Sequence, residues 1–181
     1  MDRWCAYNKV NDLAILLIPK NLTTSIRHAL SEDWQKQVNI FDITPKRVCA
    51  ILRDPLERFI SAINMHLIAD DKGLREFPKI KNENGSYELI SNDEHFVPQY
   101  KFVEHIELPK DSHIDYFYMN KNVLKDIENF YNLKLLTHKH FYSSTKFLNV
   151  ADLNIIKDIY KLDYDLIRNT KFVNKPEEVY G

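Results

Sequence analysis

Glycine is nearly missing from this chain. There are 3 in 181 residues, and the first of them is Gly73. A phosphate loop of the form G-x-x-x-x-G-K-[ST], whose backbone closes tightly around a nucleotide, cannot be built ahead of that position. This weighs against a small nucleotide-dependent kinase. So little glycine also argues against long flexible linkers. Cysteine is as scarce: Cys5 and Cys49 form no metal-type pair, and both read as reduced thiols, with Cys49 inside an apolar run. No charge of one sign dominates. With 25 basic and 26 acidic residues the formal net charge is -1, which excludes the broad basic surface of a nucleic-acid binder but leaves room for a local basic pocket. No apolar run approaches the ~20 residues of a membrane span. Met1 is followed by Asp2 and Arg3, and the first apolar run comes too late and is too short for a secretory signal. The expectation is a cytoplasmic protein with no membrane span and no nucleic-acid partner.

What the chain does have is an organising stretch from Leu13 to Leu30. The apolar run Leu13 to Ile18 stops at Pro19; Lys20 follows, then the polar turn Asn21 to Ser25; Ile26, Ala29 and Leu30 then recur at helical spacing. That order predicts a buried strand, a turn and a helix. A strand feeding a helix N-terminus gathers backbone N–H groups and the positive end of a dipole at one point, which suits phosphate. Lys20 adds a full charge, and Thr23, Thr24 and Ser25 add hydroxyls. Thr24 or Ser25 as a simple helix cap, with Lys20 solvated, accounts for the same residues.

Further along, Val38 to Ile43 alternates like an edge strand, and Arg47 to Leu52 reads as a second buried strand. Arg53-Asp54-Pro55 follows, with Pro55 suited to the first turn of a helix. Leu56, Phe59, Ile60, Ile63 and Leu67 make one apolar stripe on a helix reaching about Ala69. Asp70 to Asn92 reads as a long polar loop. Asp115 to Met119 predicts a third core strand and Val123 to Tyr131 a helix. His138 to Lys146 predicts a loop. Asp152 to about Ile167 predicts one last helix capped by Asp152, with a weakly ordered tail from 168 to 181. Strands alternating with helices give an α/β class with parallel core strands, whose ligands bind at the strand C-terminal ends. Two of those ends carry a basic residue, Lys20 and Arg53.

These segments resemble the sulfotransferase family. Pro19-Lys20-Asn21-Leu22-Thr23-Thr24-Ser25 is similar to its 5′-phosphosulfate loop, P-K-x-x-x-T-S. Arg53-Asp54-Pro55-Leu56-Glu57-Arg58-Phe59-Ile60-Ser61 is similar to its 3′-phosphate motif, R-D-P-x-x-R-F-x-S. Asp93-Glu94-His95-Phe96-Val97-Pro98-Gln99 resembles the D-x-H-x-x-P-Q segment of the carbohydrate sulfotransferase branch, and Tyr160-Lys161-Leu162-Asp163-Tyr164 its Y-x-x-D-Y pattern. The resemblance spans about Leu13 to Ile167. It implies a single P-loop-like three-layer sandwich over residues 1–181, with a central, mainly parallel sheet flanked by helices. It also implies sulfuryl transfer from 3′-phosphoadenosine 5′-phosphosulfate (PAPS) to a hydroxyl on a small molecule or glycan, without a metal. On that reading Lys20 stabilises the leaving phosphate. Asn21, Leu22, Thr23, Thr24 and Ser25 hold the 5′ end, and Arg53 and Ser61 hold the 3′-phosphate. His95 is the general base. Arg58 either pairs with Glu57 or Asp54 or reaches the ligand, and the structural role is preferred. The chain departs from the pattern at Leu22 and Thr23, where the family commonly has small residues, and at Asn120, where a glutamate is common. A non-catalytic nucleotide-binding protein with the same fold is the alternative.

Overall fold

The computed structural model describes residues 3–69, 78–138 and 153–174. They fall into two compact units: Met1–Arg53, Phe102–Phe141 and Thr170–Gly181 in the first, Asp54–Lys101 and Tyr142–Asn169 in the second.

The first unit is a mixed α/β layer built on a five-stranded sheet. Its strands are β1 (Trp4–Asn8), β2 (Leu13–Leu16), β3 (Gln35–Asn39), β4 (Arg47–Leu52) and, after the second unit's first segment, β7 (His113–Tyr118), in the order β3-β1-β2-β4-β7. β2, β4 and β7 are parallel neighbours, whereas β1 pairs antiparallel with both β2 and β3. The sheet is therefore mixed rather than mainly parallel. The reason is the short β1–β2 connection, which can only reverse the chain. β4 follows the predicted limits residue for residue, because six apolar-flanked residues between Pro45 and Pro55 leave little choice. β3 lies at the sheet edge as expected but ends earlier; Ile40–Asp42 turns into a 3-10 helix in which the Phe41 amide donates to the Asn39 side chain.

α1 (Thr23–Ala29) and α4 (Val123–Tyr131) supply Leu22 at the mouth of α1 with Ile26 and Ala29, and Val123, Leu124 and Ile127, to one core with Leu13, Ile15, Leu17, Cys49, Ile51 and Phe117. The alternate residues Ala14, Leu16, Val48, Ala50 and Leu52 are buried as well. Burial on both faces is what makes these parallel strands read as unbroken apolar runs. Cys5 and Cys49 are free buried thiols, and burial pushes Cys5 up to about 12. Of the tail expected to be weakly ordered, 175–181 lie outside the described residues; before them Val173 donates to the Tyr116 carbonyl. Asn174 accepts from the Tyr118 amide and donates to its carbonyl, continuing the β7 edge by a side chain.

The second unit carries α2 (Pro55–Ala69), the strands β5 (Lys79–Glu83) and β6 (Ser86–Ile90), α5 (Leu153–Ile159) and α6 (Lys161–Asn169). The polar stretch read as a loop contains a hairpin: Asn84 and Gly85 both have φ near +53° and +81°, the left-handed pair of a two-residue I′ turn. β5 is exposed throughout, so no apolar alternation marked it. The last helix is two, broken at Tyr160. Asp152, its expected cap, lies outside the described residues, as does 139–146 of the expected loop. Phe59, Ala62, Ile63, Phe96, Ile156 and Tyr160 form this unit's own core. No helix among the described residues is long and apolar enough to cross a membrane.

The short helix α3 (Tyr100–Val103) completes the secondary structure.

Candidate functional site

The loop after β2 is tightly determined. Asn21 donates its amide to the Ile18 carbonyl at 3.0 Å, closing a turn with Pro19 and Lys20 at its centre. Pro19 pre-sets the first central position. The second takes positive φ in a type II turn, a place that favours glycine, yet Lys20 stands there at φ 66°. Leu22, the residue capping α1, is also left-handed at φ 64°. A side chain in this region costs about 1–2 kcal/mol, and strain of this kind collects where a side chain is kept for its chemistry.

The loop residues then part company. Asn21 is buried, and its side-chain amide donates to the Ile51 carbonyl of β4 at 2.8 Å. With its backbone N–H bonded to Ile18 O, Asn21 holds the loop to the neighbouring strand. The Thr23 hydroxyl donates back to Ile18 O at 2.9 Å, bracing the turn. Leu22 points into the core, which explains how a large residue fits where small ones are usual. Neither Thr24 nor Ser25 caps α1; they lie within its first turn, Thr24 exposed and Ser25 buried. With only seven residues, α1 has a weak dipole, so the local positive charge rests on Lys20 and on the residue that meets it.

That residue is Arg53. It leaves β4 next to β2 in the sheet, and its Nη1 donates to the Lys20 carbonyl at 3.2 Å. The two basic strand ends picked out from sequence are thereby joined by a hydrogen bond at the C-terminal edge of parallel strands. Arg53 fixes the carbonyl of the very residue held in the left-handed turn.

The second unit holds the other predicted residues. Ser61 lies half-buried on α2. His95 stands in the Asp93–Gln99 segment, where Asp93 Oδ1 accepts from the His95 backbone amide at 2.9 Å and pairs with its Nδ1. A carboxylate on Nδ1 leaves Nε2 as the nitrogen that can take a proton. The D-x-H spacing carries this signal, since an aspartate readily bonds the amide two residues on.

Sequence reasoning missed what holds this segment. Arg58 is fully buried, and its Nη2 reaches the Glu94 carbonyl at 3.5 Å. The Tyr160 hydroxyl donates to Phe96 O at 2.7 Å. Asp163 accepts from the Gln99 and Tyr100 amides, each at 2.9 Å. Burial pushes the Asp163 carboxyl up to about 6, against the opposing pull of those two amides and of Arg58. Its folded pKa is above its unfolded one, so the folded state binds the proton more tightly. Stability from this group is present below pH 4 and lost as pH rises through about 6. We expect the difference in unfolding free energy between the parent and Asp163→Asn to change by on the order of 3 kcal/mol between pH 4 and pH 7, read by urea denaturation at each pH; parallel curves would refute the burial of a titrating carboxylate here.

Among the described residues no group of three or more His, Cys, Asp or Glu side chains could hold a metal ion. No protein-family model, no curated protein and no solved structure matches this chain.

Proposed function

We propose that this chain is a PAPS-dependent sulfotransferase acting on an acceptor hydroxyl, with the strand ends of β2 and β4 as the nucleotide site. The observation that carries the reading is the Arg53 bond to the Lys20 carbonyl, with Lys20 in a left-handed turn. A glycine would be cheaper there, and two cations at one parallel strand edge suit an anionic ligand. The mixed sheet with α1 and α4 on one face is compatible with a P-loop-like sandwich.

The donor set fits a nucleotide with phosphates at both ends. Lys20 brings a point charge. Arg53 brings a rigid fork that can brace the loop and meet a phosphate, and the Ser25 and Thr24 hydroxyls lie in the turn that follows. PAPS supplies the sulfuryl group and leaves as adenosine 3′,5′-bisphosphate. Lys20 stabilises the charge that grows on the departing phosphate. The resemblance assigns the role of base to His95, whose Nδ1 is held by Asp93 and whose Nε2 would take the proton, and a 3′-phosphate role to Ser61. The acceptor is a small molecule or glycan hydroxyl.

The test is a calorimetric titration with adenosine 3′,5′-bisphosphate. Binding is expected, with Arg53→Ala weakening it about tenfold to a hundredfold, as for a charge-assisted bond of ~1.5–3 kcal/mol. No heat and no melting shift with the parent protein would overturn the nucleotide site. Binding without turnover on any acceptor hydroxyl would favour a non-catalytic nucleotide-binding protein.

A further inference from the structure

We propose that Arg58, Tyr160 and Asp163 are positioning residues for His95, a buried clamp that sets the backbone on both sides of the imidazole. The inference rests on the reading of His95 as the base. The three side chains come from α2, from the break between α5 and α6, and from α6, and they are 0%, 1% and 0% exposed. Four bonds run from these side chains to backbone: Arg58 to Glu94 O, Tyr160 to Phe96 O, and Asp163 to the amides of Gln99 and Tyr100. His95 lies between the two gripped carbonyls.

The chemistry of the clamp is costlier than packing alone would require. Apolar side chains of similar volume hold helices together without desolvating an arginine and an aspartate, and replacing a buried ion pair by them is often stabilising. What apolar groups cannot do is fix the direction of a carbonyl or an amide. A base must sit within hydrogen-bond reach of the proton it removes, and displacement of about 1 Å far from the reacting atoms can cost a hundredfold. The clamp supplies that fixity to a segment of six residues that has no strand or helix ladder of its own between Asp93 and Pro98. It also joins the D-x-H-x-x-P-Q and Y-x-x-D-Y stretches into one device: Tyr160 and Asp163 act on the former from 64 residues away.

The experiment uses full-length protein with ¹⁵N-labelled histidine. Tyr160→Phe removes one hydroxyl and keeps the ring packed near Phe59 at 6.0 Å; Asp163→Asn is the second variant, so that loss of folding in one leaves the other. In Tyr160→Phe the ring signals of His95, assigned with His95→Gln, are expected to shift while those of His28, His105 and His113 stay in place. In transfer assays kcat falls at least tenfold with KM for PAPS unchanged. Unmoved His95 signals in a folded variant would overturn the clamp. An equal loss in kcat and in nucleotide affinity would also overturn it, by pointing to general destabilisation. The two readings separate cleanly. A parent protein that does not bind adenosine 3′,5′-bisphosphate sinks the proposed function, while the His95 spectra still decide the clamp.

Discussion

On the proposed function, replacing Lys20 by glycine is expected to slow sulfuryl transfer by about 10²–10³-fold and leave the fold as stable as before or slightly more so. Two independent features of one residue give the opposite signs. Lys20 has φ 66° at the second central position of the turn closed by Asn21 and Ile18. Glycine enters that region without the penalty of about 1–2 kcal/mol that a side chain pays, offset in part by the greater freedom glycine adds to the unfolded chain. The net effect on unfolding free energy is between zero and about +1 kcal/mol. The carbonyl that Arg53 bonds is a backbone group and survives the change. Transfer as proposed would, by contrast, lose a charge aimed at a developing anion. Loss of one such stabiliser costs ~2.7–4 kcal/mol of barrier, a factor of 10²–10³ in kcat. Lys20→Ala loses the same activity while keeping the strain, so the pair separates backbone from charge. Urea unfolding and a transfer assay on the three proteins decide the matter. Lys20→Gly that still turns over, or that unfolds more easily than Lys20→Ala, would mean the lysine is there for the fold.

The largest loss of stability is expected from Arg58→Ala. Arg58 is wholly buried, bonds Glu94 O and counters the charge on Asp163. Truncation leaves a cavity and an uncompensated buried carboxylate, a combination worth about 3–5 kcal/mol. The loss depends on pH in a defined direction. Arg58 holds the Asp163 carboxyl down against the upward push of burial, so without it that carboxyl moves above about 6. Protonated Asp163 has no charge for the arginine to counter. The cost is therefore greatest above pH 7 and smaller near pH 5. A penalty of the same size at both pH values would show that Arg58 contributes packing alone.

These two residues mark how far the sequence could be read. Lys20 and Arg53 were legible because their signals are local: an apolar run, a stop at proline, a cation, then helical spacing. The limits of β4, α2 and α4 followed for the same reason. β1 and the β5–β6 hairpin were not legible. β1 is held by antiparallel neighbours on both sides, and β5 by one partner with no buried face, so neither shows the period that marks a half-buried strand. The aspartate beside His95 was readable in the D-x-H spacing, being an i to i+2 contact.

By itself the sequence determined what short-range chemistry settles: an α/β chain, two cationic strand ends and a histidine with a neighbouring carboxylate. Only the tertiary structure decided which polar residues act on the backbone of distant segments. Asn21 reaches Ile51, 30 residues away, and Asp163 reaches Gln99 across 64. Arg58 reaches the Glu94 carbonyl, 36 residues on. The physical reason is desolvation: a buried polar group must find a partner wherever the fold provides one, and which carbonyl or amide that is depends on how the elements pack, a quantity no local pattern encodes.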